Sequence, residues 1–317
     1  PGDEIAFLGT RNGLEVTLIP DRGGKLFLIP KVVAPRKLNM ELLLFPFKLI
    51  FSITRTIQLL SKFDLVVGFG GYVAASAYFA ARILRKPIVI HDQNAKVGIA
   101  NKLGAKFAKE VTVAYPSAEL KGARVVGNPL KKGIVDAAIS AEKDWSAARA
   151  RAKASLGVDG KLVLVLGGSS GSQAINEVIE SSEFKDCTVI HSVGARNKLP
   201  TATEKYRPLS YIEDMATALL AADLVISRSG AIATSEFAAL GKYALFIPLP
   251  IGNGEQALNA NELVAAQRAE ILSQDELTPT WISNNLARLL SKGSNVAFGT
   301  SLNAAEQIAD CIERALK

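Results

Sequence analysis

Cysteine, histidine and methionine are scarce in this chain of 317 residues, with two of each. Cys187 and Cys311 stand far apart, which argues for a reducing compartment and against a disulfide framework, and both read as ordinary apolar positions. Zinc-finger spacing is missing, as is any interleaving of aromatic and basic residues that would read RNA, so no nucleic acid is expected as a partner. No stretch reaches the roughly 18 uninterrupted apolar residues of a membrane span. Acidic residues are outnumbered, 30 against 37 Lys and Arg, and the net charge of +7 favours anionic partners, a nucleotide or a phospholipid surface.

What is present describes a globular chain with a large core: 49% hydrophobic and 21% charged residues. Its length predicts about two domains. The most informative stretch is 162–176, Leu-Val-Leu-Val-Leu-Gly-Gly-Ser-Ser-Gly-Ser-Gln-Ala-Ile-Asn. Its five leading apolar residues are too few for a helix core and fit a strand covered on both faces. Gly167, Gly168 and Gly171 permit a tight turn and close approach to a ligand. A helix starting over 169–173 would aim free N–H groups and its positive dipole end at a phosphate. Turns of this kind also occur in doubly wound domains that bind nothing there. A dinucleotide would further require an acid about twenty positions on, at the end of the second strand. That strand, 187–191, ends in His191-Ser192, which disfavours NAD.

Elsewhere, strands are predicted over 5–8, 26–29, 64–67, 87–91, 111–114 and 123–126, with apolar helical spacing over 39–63, an alanine-rich helix to about Leu84 and a helix near 98–108. After Gly127-Asn128-Pro129, the segment 137–156 reads as a solvated helix, and strands at 162–166, 187–191, 223–226 and 243–247 repeat the alternation. The prediction is an α/β chain of two doubly wound, Rossmann-like domains facing each other across a cleft, with a boundary near 131 and ligands at the carboxyl ends of strands.

Several polar groups fall at such ends. Arg228, after a strand, and the helix behind it offer donors to a diphosphate; Glu236 either accepts from ribose hydroxyls or complements the helix dipole from its first turn. Gln256 and Asn259 either bond sugar hydroxyls or cap a helix. His91-Asp92-Gln93-Asn94 places four polar residues together, which marks a site, although a lone histidine there is more often structural.

Taken in order, Gly68-Phe-Gly-Gly-Tyr72, His91-Asp-Gln-Asn94, Gly127-Asn-Pro129, Gly167-Gly-Ser-Ser-Gly171, Tyr211-Ile-Glu-Asp-Met215, Arg228-Ser-Gly230, Glu236 and Gly254-Glu-Gln256 give a chain that resembles the MurG family of GT-B-fold enzymes over nearly its whole length. Members transfer N-acetylglucosamine (GlcNAc) from UDP-GlcNAc to undecaprenyl-diphosphoryl-MurNAc-pentapeptide (lipid I), giving lipid II for peptidoglycan. The form of 252–256 suggests an actinobacterial type. The resemblance implies an inverting hexosyltransferase without cofactor or metal, peripheral on the cytoplasmic side of the cell membrane. It implies that Asn94 and Ser169 contact the donor's sugar and diphosphate and that Ile212 packs by the uracil. Ala231, Ile232 and the helix start up to Glu236 would line the nucleotide, Glu236 binding ribose and Gln256 the GlcNAc hydroxyls. Charge building on the leaving UDP would meet the 167–171 helix start and Arg228. Lys131 stands where the family has an arginine, keeping the charge without the bidentate fork, and Ala233 stands for a family threonine. The implied domains are 1–131 for acceptor and membrane, joined by a C-terminal helix at 301–317, and 132–300 for UDP-GlcNAc.

Family members begin with a further strand and a glycine-rich loop ending in a histidine, the candidate general base. Here residue 5 falls at the second strand and neither His91 nor His191 matches it, so the base is unassigned. A sheet lacking that strand would have unpaired edges and a hole, and a fragment that folds poorly or turns over slowly is expected. Between Lys31 and Lys62 six basic residues accompany one acid around Phe45, Pro46, Phe47 and Phe51, which reads in part as a core helix with a solvated face, and beyond that as a patch suited to shallow insertion into an anionic leaflet, the reading favoured here. Two other readings stay open: another GT-B sugar-nucleotide enzyme, such as an epimerase or glycolipid synthase, and a remnant that binds UDP-GlcNAc without turnover.

Overall fold

The computed structural model describes residues 3–32, 40–168, 170–250, 254–293, 296–299 and 301–317. The chain divides into two units: Pro1–Gln93, Val97–Val126 and Glu306–Lys317 form the first, Asn94–Lys96 and Gly127–Ala305 the second.

In the first unit, β1 (Ala6–Gly9), α1 (Glu15–Leu18) and β2 (Lys25–Leu28) precede a long helix, α2 (Met40–Leu60). Then follow β3 (Val66–Gly68), α3 (Ala74–Ile83), β4 (Ile88–Asp92), α4 (Ile99–Gly104), β5 (Glu110–Val113) and β6 (Arg124–Val125). All ladders are parallel; β1 pairs with β2, and the other four run in the order β3-β4-β5-β6. Every residue of β4 is buried. Val89 packs on Cys311 and Ala315 of the last helix, α12 (Ala304–Leu316), so the chain's end returns to the first unit.

α2 is amphipathic in a specific way. Its inner face is polar and small: Ser52 and Thr56 are buried, and the Ser52 and Ser76 hydroxyls meet at 3.0 Å against α3. Its outer face is apolar, with Phe47 71%, Ile50 62% and Phe51 58% exposed. Over 43–60 the helix is long and apolar enough to cross a membrane by length and composition. Counting only uninterrupted runs hides this, because Lys48, Ser52, Thr54, Arg55, Thr56 and Gln58 break the apolar segment.

In the second unit, α5 (Lys132–Ala141) and α6 (Trp145–Ser155) lead into β7 (Lys161–Leu166), α7 (Gln173–Glu180), β8 (Cys187–Ser192), β9 (Tyr206–Leu209) and α8 (Met215–Ala221). β10 (Leu224–Ser227), α9 (Ala231–Ala239), β11 (Ala244–Phe246), α10 (Glu255–Ala265), β12 (Ala269–Ile271) and α11 (Pro279–Lys292) complete it. Six parallel strands run β12-β11-β10-β7-β8-β9. In β7, Leu162, Leu164 and Leu166 join the core on one face while Val163 and Val165 join that on the other, which is why the run is uniformly apolar.

The single solvated helix expected over 137–156 is instead two helices. The first ends at Ala141 with Glu142 as its C-cap, and Asp144 caps the second, its carboxylate accepting from Ala147 N at 2.9 Å. Ala138, Ala141, Ala148 and Ala152 are buried, so alanine here serves close packing rather than solvation. β9 and β12 escape the sequence reading: both are short outer strands, and Pro208 inside β9 is tolerated because β9 is an edge.

Candidate active site

Within the six-stranded sheet, successive strands run outward in one direction from β7 and in the other from β10. Between such neighbours the following loops part, leaving a crevice at the carboxyl ends. A cavity of about 550 Å³ lies there. It is lined after β7 by Gly167, Gly168, Gly171, Ser172 and Gln173, at the end of β8 by Ser192, and at the end of β10 and just after it by Ser227 and Arg228. Lys131, Tyr211, Met215, Glu236, Leu249 and Gln256 are further parts of its wall.

Gly168 (φ +89°) and Gly171 (φ +74°) occupy the left-handed region, and a Cβ built on Gly171 would run into the Val193 carbonyl. α7 starts at Gln173, at the late end of the 169–173 window, and its N-cap, Ser172, makes no side-chain cap. The first N–H groups of α7 therefore have no side-chain cap at a wall that Ser172, Gln173 and Ala174 share.

Arg228 is buried and committed to the protein. Nη1 donates to the Ile247 and Pro248 carbonyls at 2.9 and 3.1 Å; Nη2 donates to Ser172 Oγ and Gln274 Oε1 at 2.7 and 2.6 Å. All four terminal N–H groups are thus engaged, which corrects the expectation of a fork offered to a diphosphate. Arg228 instead braces the glycine turn against the segment after β11. Glu236 is the sixth residue of α9, so the first-turn dipole role falls away. Burial raises its carboxyl above the usual range, with Lys131 pulling the other way.

Lys131, Arg228, Glu236 and Gln256 share this wall. Gln256 Oε1 accepts from Leu249 N at 3.0 Å. Asn94, Ala231 and Ile232 are not among the wall residues. The Asn94 carboxamide oxygen accepts from Asn259 Nδ2 at 3.3 Å, and Ala231 O accepts from Asn128 Nδ2 at 3.2 Å. Asn259 also takes the Ala95 amide on Oδ1 at 2.9 Å and reaches Ser229 O at 3.3 Å, so its amide serves the fold rather than a sugar. Ile212 belongs to the core, and its neighbours Tyr211 and Met215 form the wall in its place. Ser169 lies outside the described residues. Tyr211, Met215 and Leu249 are among the wall residues that sequence reasoning gave no role; for Tyr211 and Met215 the quoted 211–215 motif was the available signal. In the first unit, His91 is buried, with Nδ1 at 3.0 Å from Thr112 Oγ1 and its ring edge-on to Phe69, the structural reading of that histidine.

Two family models match: the glycosyltransferase family 28 N-terminal domain over residues 2–113 and the family 28 C-terminal domain over 162–315. A curated relative from Streptomyces coelicolor, named UDP-N-acetylglucosamine–N-acetylmuramyl-(pentapeptide) pyrophosphoryl-undecaprenol N-acetylglucosamine transferase, is 42% identical over 90% of this chain and 81% of its own. A relative of the same name from Corynebacterium diphtheriae is 38% identical over 100% of this chain and 90% of its own. Among solved structures, MurG of Acinetobacter baumannii superposes with a TM-score of 0.74 at 27% identity, covering 98% of this chain and 91% of that one.

Proposed function

This chain belongs to the MurG branch of glycosyltransferase family 28, and from that premise we infer that it transfers GlcNAc from UDP-GlcNAc to undecaprenyl-diphosphoryl-MurNAc-pentapeptide. The product is the disaccharide-linked lipid of peptidoglycan synthesis, and the enzyme is an N-acetylglucosaminyltransferase of GT-B fold. The observation that carries the donor assignment is the cavity at the β7–β10 switch point, where an uncapped helix start, two left-handed glycines, a lysine and a half-buried carboxylate converge.

In this reading the diphosphate rests on the Gly167–Gly171 turn, Ser169 included, and the N-terminus of α7, with Lys131 as counter-charge. Glu236 accepts from the ribose hydroxyls; Asn94 and Gln256 hold the GlcNAc hydroxyls. Ala231 and Ile232 place the start of α9 beside the nucleotide, and the uracil packs on the wall that Tyr211 and Met215 form around the core residue Ile212. The MurNAc 4-hydroxyl attacks the anomeric carbon as the bond to UDP breaks, inverting that centre. The hydroxyl proton passes to a base that remains unassigned.

The acceptor is lipid-linked, so the enzyme has to work at a membrane. Residues 1–131 with 301–317 form the acceptor and membrane domain in this proposal, and 132–300 the donor domain. The exposed Phe47, Ile50 and Phe51 of α2, with Lys48 and Arg55 on the same helix, suit peripheral docking on the anionic cytoplasmic leaflet.

The test combines a thermal-shift titration with UDP-GlcNAc, UDP-glucose and NAD with a transfer assay using labelled UDP-GlcNAc and a lipid I analogue. Donor at 100 times its dissociation constant adds about 2.7 kcal/mol of stability. A shift selective for UDP-GlcNAc together with labelled lipid II is expected. Equal shifts with all three ligands, or conversion of UDP-GlcNAc without acceptor, would overturn the assignment.

A further inference from the structure

The glycine turn of the donor cavity is held in place by a second turn behind it. A Cβ on Gly171 would strike Val193 O, and one on Gly194 would strike Ser170 O and Gly171 N, so the turns after β7 and β8 meet backbone to backbone. Side-chain carboxamides keep this interface in register: Asn197 Nδ2 donates across it to the Ser170 carbonyl at 3.2 Å, and two carboxamides hold the Val193 carbonyl.

That carbonyl accepts from Asn176 Nδ2 at 2.9 Å and from Asn197 Nδ2 at 2.6 Å. Asn176 lies on α7, the helix whose first turn forms part of the cavity wall, and its own amide closes on Ser172 O at 2.8 Å. The Asn176 carboxamide cannot rotate freely, because Oδ1 faces His191 Nε2 at 3.0 Å. Since Nδ2 donates to Val193, Oδ1 must accept, and His191 therefore carries its proton on Nε2. His191 Nδ1 is then an acceptor, met by the Tyr206 hydroxyl at 2.9 Å. Donors thus run in one direction from β9 through β8 to α7 and into the back of the glycine turn. His191 is fully buried and lies beside Ser192, a wall residue.

We propose that His191 is a positioning residue for the donor diphosphate: it touches no substrate, but through Asn176 it sets the register between the α7 N-terminus and the Gly168–Gly171 turn. The proposal rests on the donor reading of this cavity. It makes His191, whose signal in the sequence was only that it is not a carboxylate, part of the machinery that orders the phosphate site.

The experiment compares His191→Ala, Asn176→Ala, their double variant and Tyr206→Phe, the last leaving the ring packing intact. UDP affinity is measured by calorimetry well below each variant's melting temperature, with KM for donor and acceptor and with amide exchange of residues 168–172. Each single alanine variant is expected to weaken UDP binding and raise the donor KM roughly 10- to 100-fold, with acceptor KM unchanged. The double variant should be no worse than the poorer single one, and Tyr206→Phe should show the same pattern in smaller degree. Faster exchange of the 168–172 amides is expected in all of them. Variants that melt earlier but bind UDP and exchange as the parent does would reduce His191 to a packing residue and overturn the proposal; if His191→Ala does not fold, Tyr206→Phe and Asn176→Ala decide in the same way. A parent that binds no UDP, while the variants still loosen the turn, would instead refute the donor reading and leave the register role standing.

Discussion

Arg228 donates from Nη2 to the hydroxyl of Ser172 at 2.7 Å, tying the loop after β10 to the residue that opens α7. With its three other terminal bonds to Ile247, Pro248 and Gln274, the guanidinium acts as a strut behind the cavity. A lysine cannot reproduce a planar fork with four partners. Arg228→Lys should therefore lower stability by about 2–4 kcal/mol, at about 1.5–3 kcal/mol per charged hydrogen bond with partial replacement, and raise the donor KM. Denaturant unfolding and donor titration check both; an unchanged midpoint with a raised KM would restore direct contact with the diphosphate.

Gly171→Ala combines an unfavourable φ of +74° with a methyl group against the Val193 carbonyl. The left-handed penalty alone is about 1–3 kcal/mol, and the clash adds to it. Loss of UDP binding at a temperature where the variant is still folded is the expected result, read by calorimetry beside a melting curve.

Burial holds the His191 imidazole down to about 4, from an ordinary 6.5. Its titratable neighbour Tyr206 is pushed up to about 12, by burial first and then by Glu180, and stays neutral. The unfolded chain therefore takes up the proton first on acidification. The stability that neutral His191 contributes is complete above about pH 6.5 and is lost progressively down to about pH 4, by about 3 kcal/mol at most. Urea unfolding from pH 7 to 4 should show this slope, and His191→Gln should flatten it.

Glu236→Gln keeps an acceptor and Glu236→Ala removes it. If the carboxylate bonds the ribose, the alanine variant should lose about 1.5–3 kcal/mol of donor binding, roughly 10- to 150-fold in KM, and the glutamine variant less. Because burial raises the Glu236 carboxyl, donor affinity should begin to fall on acidification at a higher pH than an ordinary glutamate would give. Donor KM measured across pH 5 to 8 for parent and Glu236→Gln checks it, since only the parent should show that dependence.

Replacing Phe47, Ile50 and Phe51 together by serine removes most of the outer apolar face of α2. Sedimentation with anionic vesicles should show at least about a tenfold weaker partition, since a fully buried side chain of this kind contributes about 1.5–3 kcal/mol. Turnover of a soluble, short-chain acceptor should be unaffected. Unchanged partition would remove α2 from the docking surface.

The alternation of strands and helices, and most strand positions, were legible in the sequence because each central strand is a short apolar run between glycines or polar residues. Leu162 to Leu166 is the clearest case, buried on both faces. The pair of helices at α5 and α6 was not legible, because alanine satisfies both a solvated helix and a tightly packed one and only Asp144 marks the break. In the site, local spacing carries the glycine turn, while Lys131, Glu236 and Gln256 could be named as binding residues only through the family resemblance, since spacing alone left Glu236 and Gln256 open and gave no signal for Lys131. Arg228 reads as a ligand residue and Asn259 stays open between ligand and fold, because a polar side chain near a strand's end looks the same whether its partner is a substrate or the protein. The partners of Arg228, at 172, 247, 248 and 274, are distant in sequence, and no local pattern announces them. The Tyr206–His191–Asn176 relay was invisible for the same reason.

The three residues Asn94–Lys96 belong to the second unit although both flanking segments belong to the first, and Asn259 binds them through the Ala95 amide and the Asn94 carboxamide. The chain consequently cannot be cut into two autonomous pieces at any single peptide bond. A product spanning only 127–305 would leave the buried Asn259 amide short of two of its partners, and supplying 94–96 as a separate peptide would forfeit the tether that holds it there. Gene fusions, split-protein complementation and limited proteolysis of this enzyme should all meet the same obstacle, a splice that is not colinear with the sequence.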